Sequence, residues 1–127
     1  MIQPEKPKKS DAKEISKLLK KDKIHLLPRT EKEIAKNIKN FLVIRSEGKI
    51  VACASFENYA RKIAEIRSLM VLPEYRGNGY SKLLIKSLLE RAKKGQEVFV
   101  VTSKADYFKK LGFATVMGEK QFLFLTK

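Results

Sequence analysis

The chain contains 127 residues with a formal net charge of +14, one cysteine and one histidine. This length suits one domain around one core, so we expect residues 1–127 to form a single domain. One cysteine excludes an internal disulfide, and a Cys/His cluster is not available, so we expect no metal. The sequence has neither a membrane-spanning apolar run nor a signal-peptide pattern, which predicts a cytoplasmic protein.

The positive charge comes mostly from lysines that are spread along the whole chain. A dispersed lysine coat is typical of a solvated surface, whereas nucleic-acid interfaces concentrate arginines and aromatic residues. We therefore expect no specific nucleic-acid partner and no membrane partner, and the charge suits an anionic small ligand. The sequence leaves open whether the protein is a monomer or a homodimer.

The first half of the chain predicts two helices followed by a β-hairpin. Asp11 begins one apolar pattern of helical period, which continues to about Asp22. The capping box Thr30-Glu31-Lys32-Glu33 begins the second helix. The hairpin turn is Glu47-Gly48. The remaining predicted segments of this half are a short edge strand at residues 1–6, the strands Phe41–Ser46 and Lys49–Tyr59, and a polar connection at Asn58–Lys62.

The second half predicts a strand, a helix, a strand, a short helix and a closing hairpin. Glu97–Thr102 is apolar on both faces, which is typical of a strand with a parallel neighbour. Ser103 and Asp106 can cap the short helix, which Gly112 ends. The remaining predicted segments are the strand Ile63–Leu72, a helix from Gly79 to about Lys94, and a hairpin of Thr115–Met117 and Gln121–Leu125 around Gly118. This order predicts an α+β fold, with a mixed, mostly antiparallel sheet and helices on both faces.

A site for phosphate is predicted where the strand ending at Leu72 runs into the segment Pro73–Leu84. Backbone N–H groups at a helix start have no partner within the helix, and the helix dipole favours an anion there. Gly77 and Gly79 allow the backbone to bend and to approach that anion, while nearby basic side chains add positive charge. The alternative interpretation is an ordinary strand-to-helix turn that carries a surface arginine.

The same segment resembles motif A of the GNAT superfamily, the Gcn5-related N-acetyltransferases. The signature Gln/Arg-x-x-Gly-x-Gly/Ala is matched by Arg76-Gly77-Asn78-Gly79-Tyr80-Ser81, and Phe108-Lys109-Lys110-Leu111-Gly112-Phe113 resembles the family's C-terminal motif. The resemblance implies a GNAT fold, acetyl-CoA as co-substrate, and transfer of acetyl to an amine. It implies a diphosphate site at Arg76, Gly77, Asn78, Gly79, Tyr80 and Ser81, and a pantetheine site along the backbone near Leu69, Met70 and Val71.

Three segments are similar to the short N-acetylglutamate synthase-like amino-acid N-acetyltransferases. They are Leu26-Leu27-Pro28-Arg29-Thr30, Ala64-Glu65-Ile66-Arg67-Ser68-Leu69, and Val101-Thr102-Ser103-Lys104 before Tyr107-Phe108. This similarity implies a small amino acid as acceptor, with glutamate the first choice and arginine biosynthesis the context. It implies that Arg29 binds a substrate carboxylate, that Lys104 supplies a second positive charge, and that Leu27 and Cys53 line the acceptor site.

Two residues are candidates for proton transfer. The resemblance aligns Glu65 with the strand carboxylate of histone-acetylating relatives, which makes it the candidate general base. Its alternative role is a structural ion pair, with solvent accepting the proton. The family's acid tyrosine corresponds here to Phe108, and Tyr107 precedes it, so Tyr107 is the candidate acid although a helix turns its side chain about 100° away. Tyr80 and Ser103 are further candidates for this role.

Two alternative functions stay open at this point. The protein could acetylate another small amine or a protein amine instead of an amino acid. From a different class, it could be a basic binding module that keeps the fold without catalysis. Retention of Arg76, Gly77 and Gly79 favours an enzyme, because a module without acetyl-CoA has no need of that turn.

Overall fold

The computed structural model describes residues 2–22, 29–102, 105–117 and 122–127. The predicted roles of Leu27 and Lys104, the Ser103 cap and the turn at Gly118 lie outside these ranges. The α-helices of the described residues are α1 (Ala12–Leu19), α2 (Glu31–Lys36), α3 (Tyr80–Leu89) and α4 (Ala105–Lys110). Short 3₁₀ turns occupy Lys9–Asp11, Ile38–Asn40 and Pro73–Tyr75.

The described strands form one six-stranded mixed sheet in the order β1-β2-β3-β4-β6-β5. They are β1 (Phe41–Ser46), β2 (Lys49–Ala60), β3 (Ile63–Val71), β4 (Glu97–Val101), β5 (Ala114–Met117) and β6 (Phe122–Thr126). Strand β4 lies parallel to β3, and the other neighbouring strands are antiparallel. The predicted α+β fold and the parallel neighbour of β4 are therefore confirmed.

The β1–β2 hairpin has the predicted turn. Glu47 and Gly48 both have positive φ, 51° and 78°, and Ser46 pairs with Lys49 across the turn. Two successive residues with positive φ give the tight turn whose twist matches that of antiparallel strands.

Strand β2 lies in the middle of the core. All its residues from 50 to 57 are buried, and both α1 and α3 pack against it. Successive side chains of β2 point to opposite faces of the sheet, and both faces are covered. No residue there needs to be polar, which explains the small and apolar run Val51-Ala52-Cys53-Ala54.

Three predicted segments differ from the structure. The predicted edge strand at residues 1–6 is a single bridge between Glu5 and Val43, because the prolines at positions 4 and 7 cannot donate to a ladder. The predicted connection Asn58–Lys62 is shorter, because β2 contains the whole predicted strand Lys49–Tyr59 and continues to Ala60. The predicted helix to Lys94 ends at Leu89.

The predicted capping box of α2 is half formed. The Glu33 N–H donates to the Thr30 hydroxyl at 3.1 Å. The Glu33 carboxylate binds the side chain of Arg29 instead of the Thr30 N–H. The Glu33 side chain therefore serves an ion pair with Arg29 instead of the helix cap.

Candidate functional site

The turn between β3 and α3 has the geometry that the phosphate prediction requires. Gly77 and Gly79 have φ of +85° and +78°, a region that other residues avoid. Gly79 precedes α3 directly, and its carbonyl accepts the first helical hydrogen bond from Leu83 N–H at 3.0 Å. The first turn of α3 contains no acidic residue. Its unpaired N–H groups therefore face no local negative charge, and the turn favours an anion.

One side chain fixes this turn to the end of β3, and a second bonds within the turn region itself. The Arg76 Nε donates to the Val71 carbonyl at 3.1 Å, and the Asn78 amide donates to the Tyr75 carbonyl at 3.0 Å. Arg76 itself is exposed. These contacts hold the glycines in place while the arginine contributes positive charge at the surface.

Strands β3 and β4 separate beyond Glu65, and the part of β3 that follows runs on to the turn without pairing with a described residue of β4. Their pairing within the described residues is limited to three positions, the last being Glu65 with Phe99. Beyond this point, β4 pairs with β6 and β3 pairs with β2. The backbone edge of β3 that carries Leu69, Met70 and Val71 therefore has no strand neighbour from β4 among the described residues. Apart from the Val71 carbonyl, which accepts from Arg76, it is available to an extended ligand, as β-strand addition requires.

A bulge in β3 lies within the stretch beyond the last described β3–β4 pair, three residues after Glu65, and sequence reasoning missed it. Ser68 has a φ of +57°, and the β2–β3 register shifts opposite it, between Cys53 and Ser55. Positive φ at a non-glycine residue is strained and persists only where its surroundings fix it. Here the Ser68 hydroxyl accepts from Arg29 Nη1 at 2.9 Å, and the Ser68 carbonyl accepts from the Cys53 thiol at 3.4 Å.

Arg29 is the centre of a buried charge network. Its side chain is 2% exposed, with Nη2 at 2.6 Å from Glu33 Oε1 and Nη1 at 3.2 Å from Glu57 Oε2. Nη1 also donates to Ser55 Oγ at 3.1 Å, and the guanidinium carbon lies 4.9 Å from the ring centre of Phe41.

The same network sets the protonation of these groups. Burial lowers the pKa of Arg29, but hydrogen bonding to Glu33 and the nearby carboxylates outweigh burial and raise it overall. The hydrogen bond from Arg29 lowers the pKa of Glu33. Arg29 therefore keeps its positive charge and is already paired with carboxylates of the protein. Its role as a clamp for a substrate carboxylate stays a prediction.

The candidate base Glu65 meets a tyrosine from the neighbouring strand. The Tyr59 hydroxyl donates a hydrogen bond to the Glu65 carboxylate, and the Tyr59 ring lies 6.0 Å from that of Phe99. Burial and Glu65 raise the pKa of Tyr59 to about 12. Tyr59 therefore remains a hydrogen-bond donor to Glu65 at neutral pH, a partner that the sequence did not indicate.

The candidate acid Tyr107 points towards the donor turn. Its hydroxyl lies 2.9 Å from Ser81 Oγ in the first turn of α3. Phe108, at the family's tyrosine position, is 4% exposed and packs edge-on against Phe113 with ring centres 5.5 Å apart. The structure thus brings Tyr107 and Ser81 together, while Phe108 belongs to the core.

Cys53 does not have the properties of a nucleophile. It has no exposed surface, and burial raises the pKa of its thiol to about 12. Since the thiolate is the reactive form, Cys53 is inert at neutral pH.

Three further observations concern membrane spans, metal ions and cavities. No helix of the described residues is long and apolar enough to cross a membrane. The same residues contain no cluster of His, Cys, Asp and Glu side chains suited to a metal ion. A cavity of about 510 Å³, lined by Lys6, Asn58 and Arg91 among others, contains none of the predicted site residues.

The fold and the turn define a domain of the acyl-CoA N-acyltransferase type. The family model described as Acetyltransferase (GNAT) family matches residues 12–113, so the chain belongs to the GNAT acetyltransferases. The family and the fold predicted from the sequence are confirmed, and a relative that bears the name N-acetyltransferase agrees with the predicted enzyme class.

Similar sequences include two groups of acetyltransferases. An uncharacterised N-acetyltransferase of Chlorobaculum tepidum is 35% identical over 96 residues, which cover 74% of this chain and 62% of that protein. The amino-acid acetyltransferase of Actinobacillus pleuropneumoniae is 30% identical over 92 residues, which cover 69% of this chain and 21% of the relative. The chain thus spans about a fifth of the length of the amino-acid acetyltransferases it matches.

Similar solved structures include two complexes with coenzyme A. Rv2747 from Mycobacterium tuberculosis, in complex with CoA and NLQ, has a TM-score of 0.84 and 26% identity, over 91% of this chain and 73% of that one. N-acetylglutamate synthase from Neisseria gonorrhoeae, complexed with coenzyme A and N-acetyl-glutamate, has a TM-score of 0.88 and 20% identity, over 99% and 35%. At 20% identity the second likeness concerns the fold alone.

Proposed function

We propose that this protein transfers the acetyl group of acetyl-CoA to the α-amine of a small amino acid, with glutamate the first acceptor to test. The observation that carries the proposal is the separation of β3 from β4 beside the Gly77–Gly79 turn. Relatives that bear the name amino-acid acetyltransferase support the acceptor class. A cytoplasmic location and a role in arginine biosynthesis are part of the same proposal.

On the donor side, the turn and the edge of β3 act together. The N–H groups that begin α3 and the charge of Arg76 hold the diphosphate. Backbone groups near Leu69, Met70 and Val71 hold the pantetheine arm like an added strand. This arrangement leaves the thioester near the bulge at Ser68, next to the side chains of β2 and β3.

The transfer is a direct displacement. The neutral amine attacks the thioester carbonyl, the new C–N bond forms, the C–S bond breaks, and coenzyme A leaves as a thiolate. The ammonium group loses one proton to Glu65 or to water before the attack, and the nitrogen loses a second proton to solvent as the amide forms. The thiolate takes a proton from Tyr107 or from solvent. The buried, protonated Cys53 argues against an acetyl-cysteine intermediate. Catalysis then depends mainly on alignment of the amine with the thioester.

On the acceptor side, Arg29 acts through its surroundings. A carboxylate can reach its guanidinium only after Glu33 leaves, because Glu33 occupies both Nε and Nη2. Arg29 meanwhile fixes Ser68 and so shapes the site. The proposal keeps Leu27, Lys104 and the backbone at Cys53 as the lining of the acceptor site.

The test is a thiol-release assay with acetyl-CoA and each of the common amino acids, with polyamines and a lysine peptide as other amines. We expect turnover with at least one carboxylate-bearing amine and none with amines that lack a carboxylate. Turnover only with the other amines would show that the acceptor is not an amino acid. Absence of turnover with every amine, together with tight salt-sensitive binding of RNA, would show a binding module instead.

A further inference from the structure

Arg67 is a cation of β3 that the predicted acceptor site does not use. It lies directly opposite Ser55 of β2, and Ser55 Oγ is one of the atoms that Arg29 contacts. Arg67 is half-buried. Within the described ranges its side chain makes no hydrogen bond or ion pair, in contrast to Arg29.

Glu65 and Arg67 form a pair of opposite charges on one face of β3. Residues two apart on a strand point to the same side and lie about 7 Å apart along it. The hydrogen bond from Arg29 is the largest cause of the lowered pKa of Glu33, and burial is the largest cause of the raised pKa of Tyr59. The charge of Arg67 is a smaller influence on both, since it favours the charged form of each group. Arg67 therefore lies within electrostatic reach of both the Arg29–Glu33 contact and the Tyr59–Glu65 contact.

This pair has the charge order of an amino-acid zwitterion. An α-amino acid has a positive ammonium group next to a negative carboxylate, and the strand offers a negative side chain next to a positive one. A guanidinium with its donors unused can bind a carboxylate through two parallel hydrogen bonds. Arg29 meets this condition only after its contact with Glu33 is broken.

The pair also lies close to the bulge of β3. Arg67 directly precedes Ser68, after which β3 offers its edge to the pantetheine arm, and Glu65 lies three residues before Ser68. An amino acid held between Arg67 and Glu65 would therefore lie close to the bulge, where the thioester is expected.

We propose that Arg67 binds the α-carboxylate of the acceptor, which makes it a specificity-determining residue, while Glu65 faces the acceptor's amine. This inference rests on the proposed amino-acid N-acetyltransferase function. Arg29 is then a positioning residue, which holds the bulge and Glu33 instead of the substrate.

The experiment compares glutamate with γ-aminobutyrate, the same molecule without its α-carboxylate. Steady-state kinetics are measured for the wild type, Arg67→Ala, Arg67→Lys and the control Arg61→Ala, which removes an exposed arginine of the β2–β3 turn. If another amino acid is the better substrate, that amino acid and its decarboxylated amine are used.

We expect Arg67→Ala to raise the acceptor KM roughly tenfold to hundredfold, because a charged hydrogen-bonded contact is lost. The KM for acetyl-CoA should stay within about twofold of the wild-type value, since the donor site is intact. The preference for glutamate over γ-aminobutyrate should fall by the same factor as the acceptor KM rises. Arg67→Lys should be intermediate because lysine keeps the charge but not the fork, and Arg61→Ala should match the wild type.

The outcomes separate the two proposals. If the wild type acetylates amino acids but Arg67→Ala and Arg67→Lys keep the wild-type preference for glutamate, this inference fails and the proposed function stands. An equal rise of both KM values in Arg67→Ala would also overturn it. A wild type that acetylates only amines without a carboxylate overturns both.

Discussion

Arg29 shows how one side chain can connect charge, strand geometry and the site. Its network holds Ser68 at a positive φ, within the stretch of β3 that has no β4 partner among the described residues. A buried cation is expensive to desolvate, so it persists only with partners such as Glu33 and Glu57. Removal of the cation leaves a buried carboxylate at Glu57, whose side chain is 11% exposed.

The variant Arg29→Ala should lose about 3–5 kcal/mol of unfolding free energy, because one partner of a buried ion pair is removed. Urea denaturation measures this loss. Arg29→Lys, which keeps the charge with fewer donors, should lose less. A stability equal to wild type in Arg29→Ala would show that the network does not hold the fold.

Cys53 offers a second prediction at this scale. Because its thiol is buried with a pKa of about 12, the native protein should react very slowly with a thiol reagent at neutral pH. The same protein unfolded in urea should react at once with one equivalent of the reagent, since the chain has one cysteine. Fast reaction of the folded protein would contradict the burial of Cys53.

Among the elements, the turn before α3 depends on backbone conformation. A Cβ at Gly79 would meet no protein atom within 4 Å, so the requirement for glycine comes from its φ of +78°. The variant Gly79→Val should therefore weaken acetyl-CoA binding strongly, by strain at the turn, while the domain stays folded.

Isothermal titration with acetyl-CoA measures that effect, and circular dichroism monitors the fold. Gly79→Asn is the matched control, because asparagine tolerates positive φ better than other residues. It should keep most of the affinity. An equal loss of acetyl-CoA affinity in both variants would indicate that the turn requires the absence of a side chain at Gly79, and not its positive φ.

The elements were predictable wherever their signal is local. The β1–β2 hairpin follows from Glu47-Gly48, and the parallel neighbour of β4 follows from its apolar run. The end of α3 was not predictable in this way. Ala92 continues the apolar period and is buried, but it lies in a turn closed by its N–H bond to the Leu89 carbonyl at 3.1 Å.

The donor side of the candidate site was predictable from the sequence, whereas the acceptor side was predicted only in part. The glycine turn is a contiguous motif, so the sequence carries its conformation. The bulge at Ser68 depends on Arg29, which is 39 positions away along the chain, and serine itself carries no signal for positive φ. The ion pair between Arg29 and Glu33 was not predictable either, because the capping-box pattern assigned the Glu33 side chain to the start of α2.

For the molecule as a whole, two carboxylates predict a loss of stability in acid. The hydrogen bond from Arg29 lowers the pKa of Glu33 from 4.5, and the Lys8 N–H lowers that of Asp11 from 3.8, with Arg45 assisting. A carboxyl whose folded pKa lies below its unfolded value stabilises the fold above the unfolded value. That stability is lost as the pH falls through the lowered pKa.

Unfolding free energy should therefore stay level from neutral pH down to the unfolded pKa values and then decrease below about pH 4. Urea titrations across this range measure the slope. Glu33→Gln should remove part of the decrease, because its amide does not titrate there. Parallel curves for the two proteins would exclude the Arg29–Glu33 pair as a source of the acid sensitivity.

The bridge between Glu5 and Val43 has a consequence for self-association. Strand β1 is an outer strand of the sheet, and Glu5 occupies its backbone at Val43 through hydrogen bonds of 2.8 and 2.9 Å. Arg45 holds this cover by binding Glu5 and Asp11, each at 2.8 Å. Prolines and lysines around Glu5 are poor partners for a second sheet. The N-terminal segment thus protects the edge of β1 from aggregation by strand pairing between molecules.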